Sequence, residues 1–301
     1  MDDYSELGLT AKMRWQKNLL RLGTLHPTLP IALLNDTRLL PTTFQGGMFS
    51  SQALDGLSFD GGRLTRVNLR DSSSRDEMGY GKATSDAFDF AGGRYAINPQ
   101  LAVSYYYGNL DNIYRQHFAG LVHSMPLAGG FSLRSDLRYY DSSGDGDERA
   151  GNIDNRNFNG MFTLGHGGHK LSAGWQLQSG DSAFPVINGG AAYVINLVTL
   201  HDFTRADEDS WQLRYDYNFA AHGLPGLSFM TRYIDGRNAV TAGGNNGEEW
   251  ERNTDFTYVV QSGSLKGLSL QWRNLSFRSG NGLTTDIDEN RLIVGYTLAL
   301  W

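Results

Sequence analysis

Cysteine is absent from the 301 residues, which removes disulfides and thiolate metal sites without fixing a compartment. Long apolar runs are absent too: only 40% of residues are hydrophobic and no stretch approaches the roughly 18 that a membrane-spanning helix needs. An excess of positive charge is lacking, and the formal net charge of −6 argues against a nucleic-acid partner. The opening Met1-Asp2-Asp3-Tyr4-Ser5 has neither a basic leader nor an apolar core, so either the protein is not exported or its beginning is missing. No serine sits in a recognisable His and carboxylate framework, and no glycine-rich stretch joins a strand to a phosphate-binding helix. The sequence therefore offers no enzyme chemistry and calls for no cofactor.

A bilayer can still be crossed by strands, each needing only about ten alternating residues, and such a chain keeps a negative mean hydropathy. Trp211, Leu213, Tyr215, Tyr217 and Phe219 share one parity, while Gln212, Arg214, Asp216 and Asn218 share the other. Side chains alternate faces along a strand, so this unit has one greasy and one wet face. Tyrosine and phenylalanine each occur 15 times and glycine 37 times, a mixture suited to aromatic girdles and tight strand packing. Comparable segments run at 9–15, 19–23, 44–50, 57–64, 88–95, 101–107, 116–123, 131–140, 158–164 and 171–178. After 211–219 come 227–234, 256–261, 268–278 and 290–300.

Long polar connections at 66–87, 141–155, 179–209, 235–252 and 279–289 alternate with brief turns, the asymmetry of a barrel with long external loops and short periplasmic turns. An even number of strands must separate successive long loops. Residues 193–203 are therefore read as part of one long loop, 179–209, folded inward. The connection 24–43 is also long, contains several prolines, and is expected to lack a strand of its own. The tally is about fifteen strands, whereas single-chain bacterial barrels normally have an even number. Because lipid does not tolerate an open sheet edge, N-terminal strands are expected to be missing.

Arginines recur on the wet parity: Arg14, Arg134, Arg138 beside Asp136, Arg214, Arg232, Arg273 and Arg291, with Arg21 joining them if its strand continues the first hairpin. Arg278 needs a slip of parity after Trp272 to do so. A lipid-facing arginine at mid-membrane costs ~2 to 4 kcal/mol, which makes the lumen their home. Guanidinium groups stay charged and grip carboxylates in a bidentate fork, and a column of them offers an anion successive sites weak enough to leave. The plainer alternative is that they pair with Asp and Glu and fill the lumen.

The segments 22–30 (LGTLHPTLP), 35–44 (NDTRLLPTTF), 180–190 (GDSAFPVINGG) and 289–294 (ENRLIV) resemble the OprD-type outer-membrane porins of pseudomonads and relatives, a group of substrate-specific channels. The resemblance spans nearly the whole chain. It implies a barrel of ~18 strands, of which about three would be absent. It also implies that 24–43 is the constriction loop, with Arg38 at the narrowing, and that 179–209 folds into the pore with Asp181, Ser182, Tyr193 and Asp202 facing the arginines. The basic ladder of such proteins maps onto Arg21, Arg134, Arg138, Arg214, Arg232, Arg273 and Arg291. Members generally pass small carboxylate-bearing solutes, including amino acids and aromatic acids. Trp301, out of phase with Leu298 and Leu300, departs from a simple terminal assembly signal.

Other sites read weakly. His166-Gly-Gly-His169 lies in a short turn without a third ligand, and Asp141, Asp145, Asp147 and Glu148 do not have EF-hand spacing; no metal site is expected. The chain is thus read as all-β, a single antiparallel transmembrane β-barrel over 1–301 in a Gram-negative outer membrane. Its expected partners are small anionic or zwitterionic solutes, outer-membrane lipid and lipopolysaccharide, and the outer-membrane assembly machinery. A plugged structural or adhesive barrel is the alternative.

Overall fold

The computed structural model describes residues 7–37 and 39–298, apart from the side chain of Asn245. Arg38 and Trp301 lie outside the described residues. Strands β1 (Thr10–Trp15) and β2 (Asn18–Leu25) open the chain, followed by the short β3 (Thr28–Leu29) and β4 (Ala32–Leu34). Next come β5 (Thr43–Ser51), β6 (Leu57–Asn68), the small hairpin β7 (Met78–Tyr80) and β8 (Ala83–Ser85), then β9 (Phe88–Asn98), β10 (Leu101–Leu110) and β11 (Tyr114–Pro126). The second half contains β12 (Phe131–Gly144), β13 (Asp154–His166), β14 (His169–Ser179), the two-residue β15 (Gly190–Ala191) and β16 (Asp209–Asn218). It closes with β17 (Leu227–Thr241), β18 (Gly244–Val259), β19 (Ser269–Ser279) and β20 (Ile287–Gly295). One 15-stranded sheet takes β1, β2, β5, β6, β9 to β14 and β16 to β20 in chain order, every neighbouring pair antiparallel.

Directly paired residues share a face, so register sorts the side chains. Trp211, Leu213, Leu171, Phe256 and Trp272 all point outward, and Trp211 and Leu213 remain 46% and 49% exposed. Such a continuous apolar exterior has no partner among the described residues and fits lipid. Aromatic contacts fall at two heights: Trp211, Tyr233 and Trp250 at one, and Tyr215, Phe229, Phe256 and Trp272 at the other. Trp250 and Phe256 are six residues apart on one strand, or about 20 Å at ~3.4 Å per residue, consistent with girdles flanking an apolar band.

The inner face is divided. On β5 to β12 it carries an apolar patch: Phe44, Met48, Leu64, Phe88, Phe90, Tyr106, Phe118 and Tyr140 are all buried. The connections after β2 and after β14 cover them. They join each other through β4 and β15, pairing Leu34 with Gly190 and Leu33 with Ala191, and contribute Leu29, Ile31, Phe184, Ile187 and Val194 to one shared hydrophobic cluster. On β12 to β20 the inner face is polar and carries the arginines.

Several expectations need correcting. The connection 24–43 holds β3 and β4 and so is not strandless. The stretch 235–252 is mostly ladder, with β17 and β18 separated by only two residues. Strands likewise extend into 141–155 and 279–289, and 66–87 contains the β7–β8 hairpin. For 141–155, 235–252 and 279–289 the cause is shared: a ladder continues beyond the apolar band through polar residues, so alternation fades while backbone pairing does not; β3, β4, β7 and β8 are two or three residues long, too short to show a period. Phe219 belongs to a 3₁₀ turn and not to the strand before it.

Candidate solute pathway

The arginines lie on one face because their strands are in register. Arg214 of β16 pairs with Arg232 of β17, and Arg273 of β19 with Arg291 of β20. Arg134, Arg138, Arg214 and Arg232 converge on a cavity of about 230 Å³, which Asp136, Met161, Thr163, Gln212 and residues 194, 195 and 197 complete. Most of the ladder is paired with acid. Arg138 forks onto Asp136 at 3.0 and 3.1 Å, Arg214 onto Asp216 at 2.8 and 2.6 Å, and Arg273 onto Asp255 at 2.9 and 2.7 Å. Arg134 stands 3.7 Å from Asp136, and Arg291 binds Glu289.

Arg232 differs. Its Nε donates to Asn253 Oδ1 at 2.6 Å and an Nη to Thr199 Oγ1 at 3.1 Å. Among the described residues no carboxylate forms a salt bridge with it. Its positive charge is therefore uncompensated at close range, in a cavity where the neighbouring arginines are largely neutralised. Among the described residues Arg21 also forms no salt bridge; it donates to Ser50 Oγ at 2.9 Å on the far wall, remote in the sheet from the cavity strands.

The inward segment meets the ladder at one of the four positions named from sequence. Tyr193 lays its ring 3.9 Å from the Arg138 guanidinium and accepts hydrogen bonds at its carbonyl from Arg138 and from the Tyr140 hydroxyl. Asp181 is exposed, and Ser182 donates to the Asp154 carbonyl at the end of β13. Asp202 lines a separate cavity of about 270 Å³ with His201, Arg205 and Glu249. Sequence reasoning missed the anchors of this segment. Glu251 accepts from the backbone N–H groups of Leu200 and His201 at 3.1 Å, while the His201 ring stacks 4.0 Å from Phe277. Burial and then the positive charge of Arg205 hold the His201 imidazole below its ordinary pKa. The signal was present as Glu249 and Glu251 two residues apart, hence on one face, in what was read as loop. Arg94 and Asp60 were missed on the opposite wall because glycines interrupt the alternation there; Asp60 accepts from Ser50 at 2.6 Å. His166 stacks on Phe131 and His169 bonds the Tyr215 hydroxyl, both on the outer surface.

An antiparallel sheet that is apolar outside, polar on half of its interior, and partly filled by its own connections defines an outer-membrane β-barrel of the porin type. Residues 1–300 match the family described as outer membrane porin, OprD family, and the chain belongs to it. It is a substrate-specific outer-membrane channel of the Gram-negative kind, and its family is one of porins, not enzymes. Porin-like protein GalP of Pseudomonas putida is 38% identical over 304 residues, covering 99% of this chain and 73% of that protein. The crystal structure of OpdL from Pseudomonas aeruginosa superposes with a TM-score of 0.94 at 51% identity, covering 99% of this chain and 83% of that one. That of OpdK with vanillate, from the same organism, gives 0.91 at 37% identity over 96% and 77%.

Proposed function

We propose that this channel admits small carboxylate-bearing solutes by passive diffusion, led past the arginines of β12 to β20. The observation that carries the reading is Arg232: a cation in salt-bridge contact with no carboxylate among the described residues, opening with Arg134, Arg138 and Arg214 onto one cavity. A guanidinium in a partly dry site binds carboxylate strongly enough to select it, and neighbouring acid-paired arginines keep the remaining sites weak enough to release it. OpdK, which shares this fold, has been crystallised with vanillate, an aromatic carboxylate of the expected class. In this reading 24–43 and 179–209 narrow the pore, Arg38 belongs to the constriction, and Tyr193 buttresses Arg138; Asp181, Ser182 and Asp202 are then assigned to the polar approach. The apolar exterior meets lipid and lipopolysaccharide after insertion by the assembly machinery.

Planar-bilayer recording with benzoate and a sodium gradient tests this. Discrete openings whose zero-current potential is displaced toward the benzoate equilibrium are expected. A folded but silent barrel overturns it in favour of a plugged structural barrel, the reading that the abundant Arg–Asp pairs would then support.

A further inference from the structure

Residue 236 on β17 is glycine, and it faces Glu249 of β18 across the ladder. A Cβ there would lie 2.5 Å from Glu208 Oε1 and 2.7 Å from the Phe203 ring. The bare backbone thus makes a notch, into which the end of the 180–208 connection inserts Phe203 and Glu208. Phe203 is 1% exposed, Glu208 0% and Glu249 3%. The carboxyl groups of Glu208 and Glu249 are brought together by this geometry, one over Gly236 and the other opposite it in register, and both meet Arg205. Glu208 Oε1 has no hydrogen-bond donor among the described residues, and Glu249 Oε2 has only the Arg205 Nε at ion-pair distance, 3.5 Å. A buried acceptor without a donor is costly, and two buried carboxylates repel. A single proton shared by the two groups supplies a donor and removes the repulsion.

The surroundings supply only part of that compensation. Among the described residues Arg205 is the one cation in salt-bridge contact with the pair; its Nε lies 3.5 Å from Glu249 and its backbone N–H donates to Glu208 Oε2 at 3.1 Å. Asp202 and the neutral-held His201 come from the same connection, and Glu251 of β18 is occupied by two backbone donors. From β14, Gln176 and Gln178 donate to the carbonyls of Phe203 and Arg205; Asp209 of β16 is engaged by Asn238, and Asp235 of β17 by Arg237.

We propose that a proton shared by Glu208 and Glu249 latches the 180–208 connection to the β17–β18 wall, and that losing it at alkaline pH releases the latch. Burial, and next the charge of Glu249, push the Glu208 carboxyl above the ordinary carboxylate range, so the proton is retained at neutral pH. The folded pKa is raised, hence the stabilisation is complete at low pH and is lost as pH rises through the folded value. The consequence for conduction rests on the reading of 179–209 as pore-lining.

Hydrogen–deuterium exchange on the detergent-solubilised protein, corrected for the intrinsic pH dependence of exchange, reads the latch directly. Between about pH 7 and about pH 10, protection of 199–206 should fall at least about tenfold in the wild type, one pH unit beyond the folded value being a factor of ten. Glu208→Gln and Glu249→Gln each replace the shared proton by a fixed amide donor, and their profiles should be flat; two variants guard against one failing to fold. A pH-independent wild type, or a parallel fall in both variants, overturns the latch. Conductance recorded over the same pH range separates the two ideas. Exchange that reports release while the current stays constant upholds the latch and sinks the pore-lining role of the connection.

Discussion

Arg232→Met is the most informative single change, because it removes one uncompensated charge while keeping most of the side-chain bulk. It should also leave the neighbouring connection in place. Thr199 and Asn253 remain 3.3 Å apart and bonded to each other without the guanidinium, and Leu200 and His201 stay tied to Glu251. A carboxylate about 4 Å from a guanidinium gains about 4 kcal/mol at an effective dielectric of about 20. Desolvation consumes much of this, and charged hydrogen bonds typically retain about 1.5 to 3 kcal/mol. Taking the lower figure, because other arginines border the cavity, benzoate occupancy should fall about tenfold. Asp216→Asn makes the reverse test: it frees the Arg214 fork now closed on Asp216 and should raise occupancy by a comparable factor. The assay is the concentration at which benzoate half-saturates its own current through single channels. If neither variant moves that concentration by as much as twofold from an order-of-magnitude expectation, close-range charge compensation does not govern the pathway.

Three further outcomes follow from the same geometry. Leu213→Arg places a charge on the outer apolar face and should cost ~2 to 4 kcal/mol if near mid-membrane, lowering the heat-modifiable folded fraction on gels, whereas Thr163→Arg, beside the arginine cavity, should assemble. Tyr140→Phe deprives the Pro30 and Tyr193 carbonyls of a donor at 3.2 and 2.8 Å; a loss of about 1 to 3 kcal/mol should appear as a lower unfolding temperature and noisier open-channel current. His201 has a folded pKa below its ordinary value, so its stabilisation is present above the ordinary histidine range and lost as pH falls through the folded value. Exchange protection of 197–202 should therefore drop on acidification, and His201→Phe, which preserves stacking on Phe277, should abolish the drop.

The strands were legible wherever one face met lipid and the other was polar. Trp211, Leu213 and Tyr215 against Gln212 and Arg214 define such a stretch, and register places these arginines with Arg232 and Arg273 on one face. On β9, read as a strand over 88–95, Phe88 and Phe90 are buried inside while Tyr95 and Ile97 are exposed outside; apolar residues on both parities leave the strand visible but blur which face is which. Legibility failed at Glu249 and Glu251, whose polarity mimics a loop although both carboxyls point inward to hold one. Arg–Asp pairing two residues apart, as in Arg138 with Asp136 and Arg214 with Asp216, was readable as same-face spacing. The solitary position of Arg232 was not, because it depends on which neighbours across the ladder are Asn253 and not an acid.

The split interior has a consequence for how such a channel can change. The wall formed by β5 to β12 is welded to the two covering connections through Phe44, Phe88, Ile31, Phe184 and their neighbours, so it behaves as a keel: alterations there are felt first as lost assembly. The wall from β12 to β20 carries its charges on side chains that mostly bond one another or the tip of a single connection. Solute preference can drift along that second wall, one ion pair at a time, without disturbing the ballast on the first.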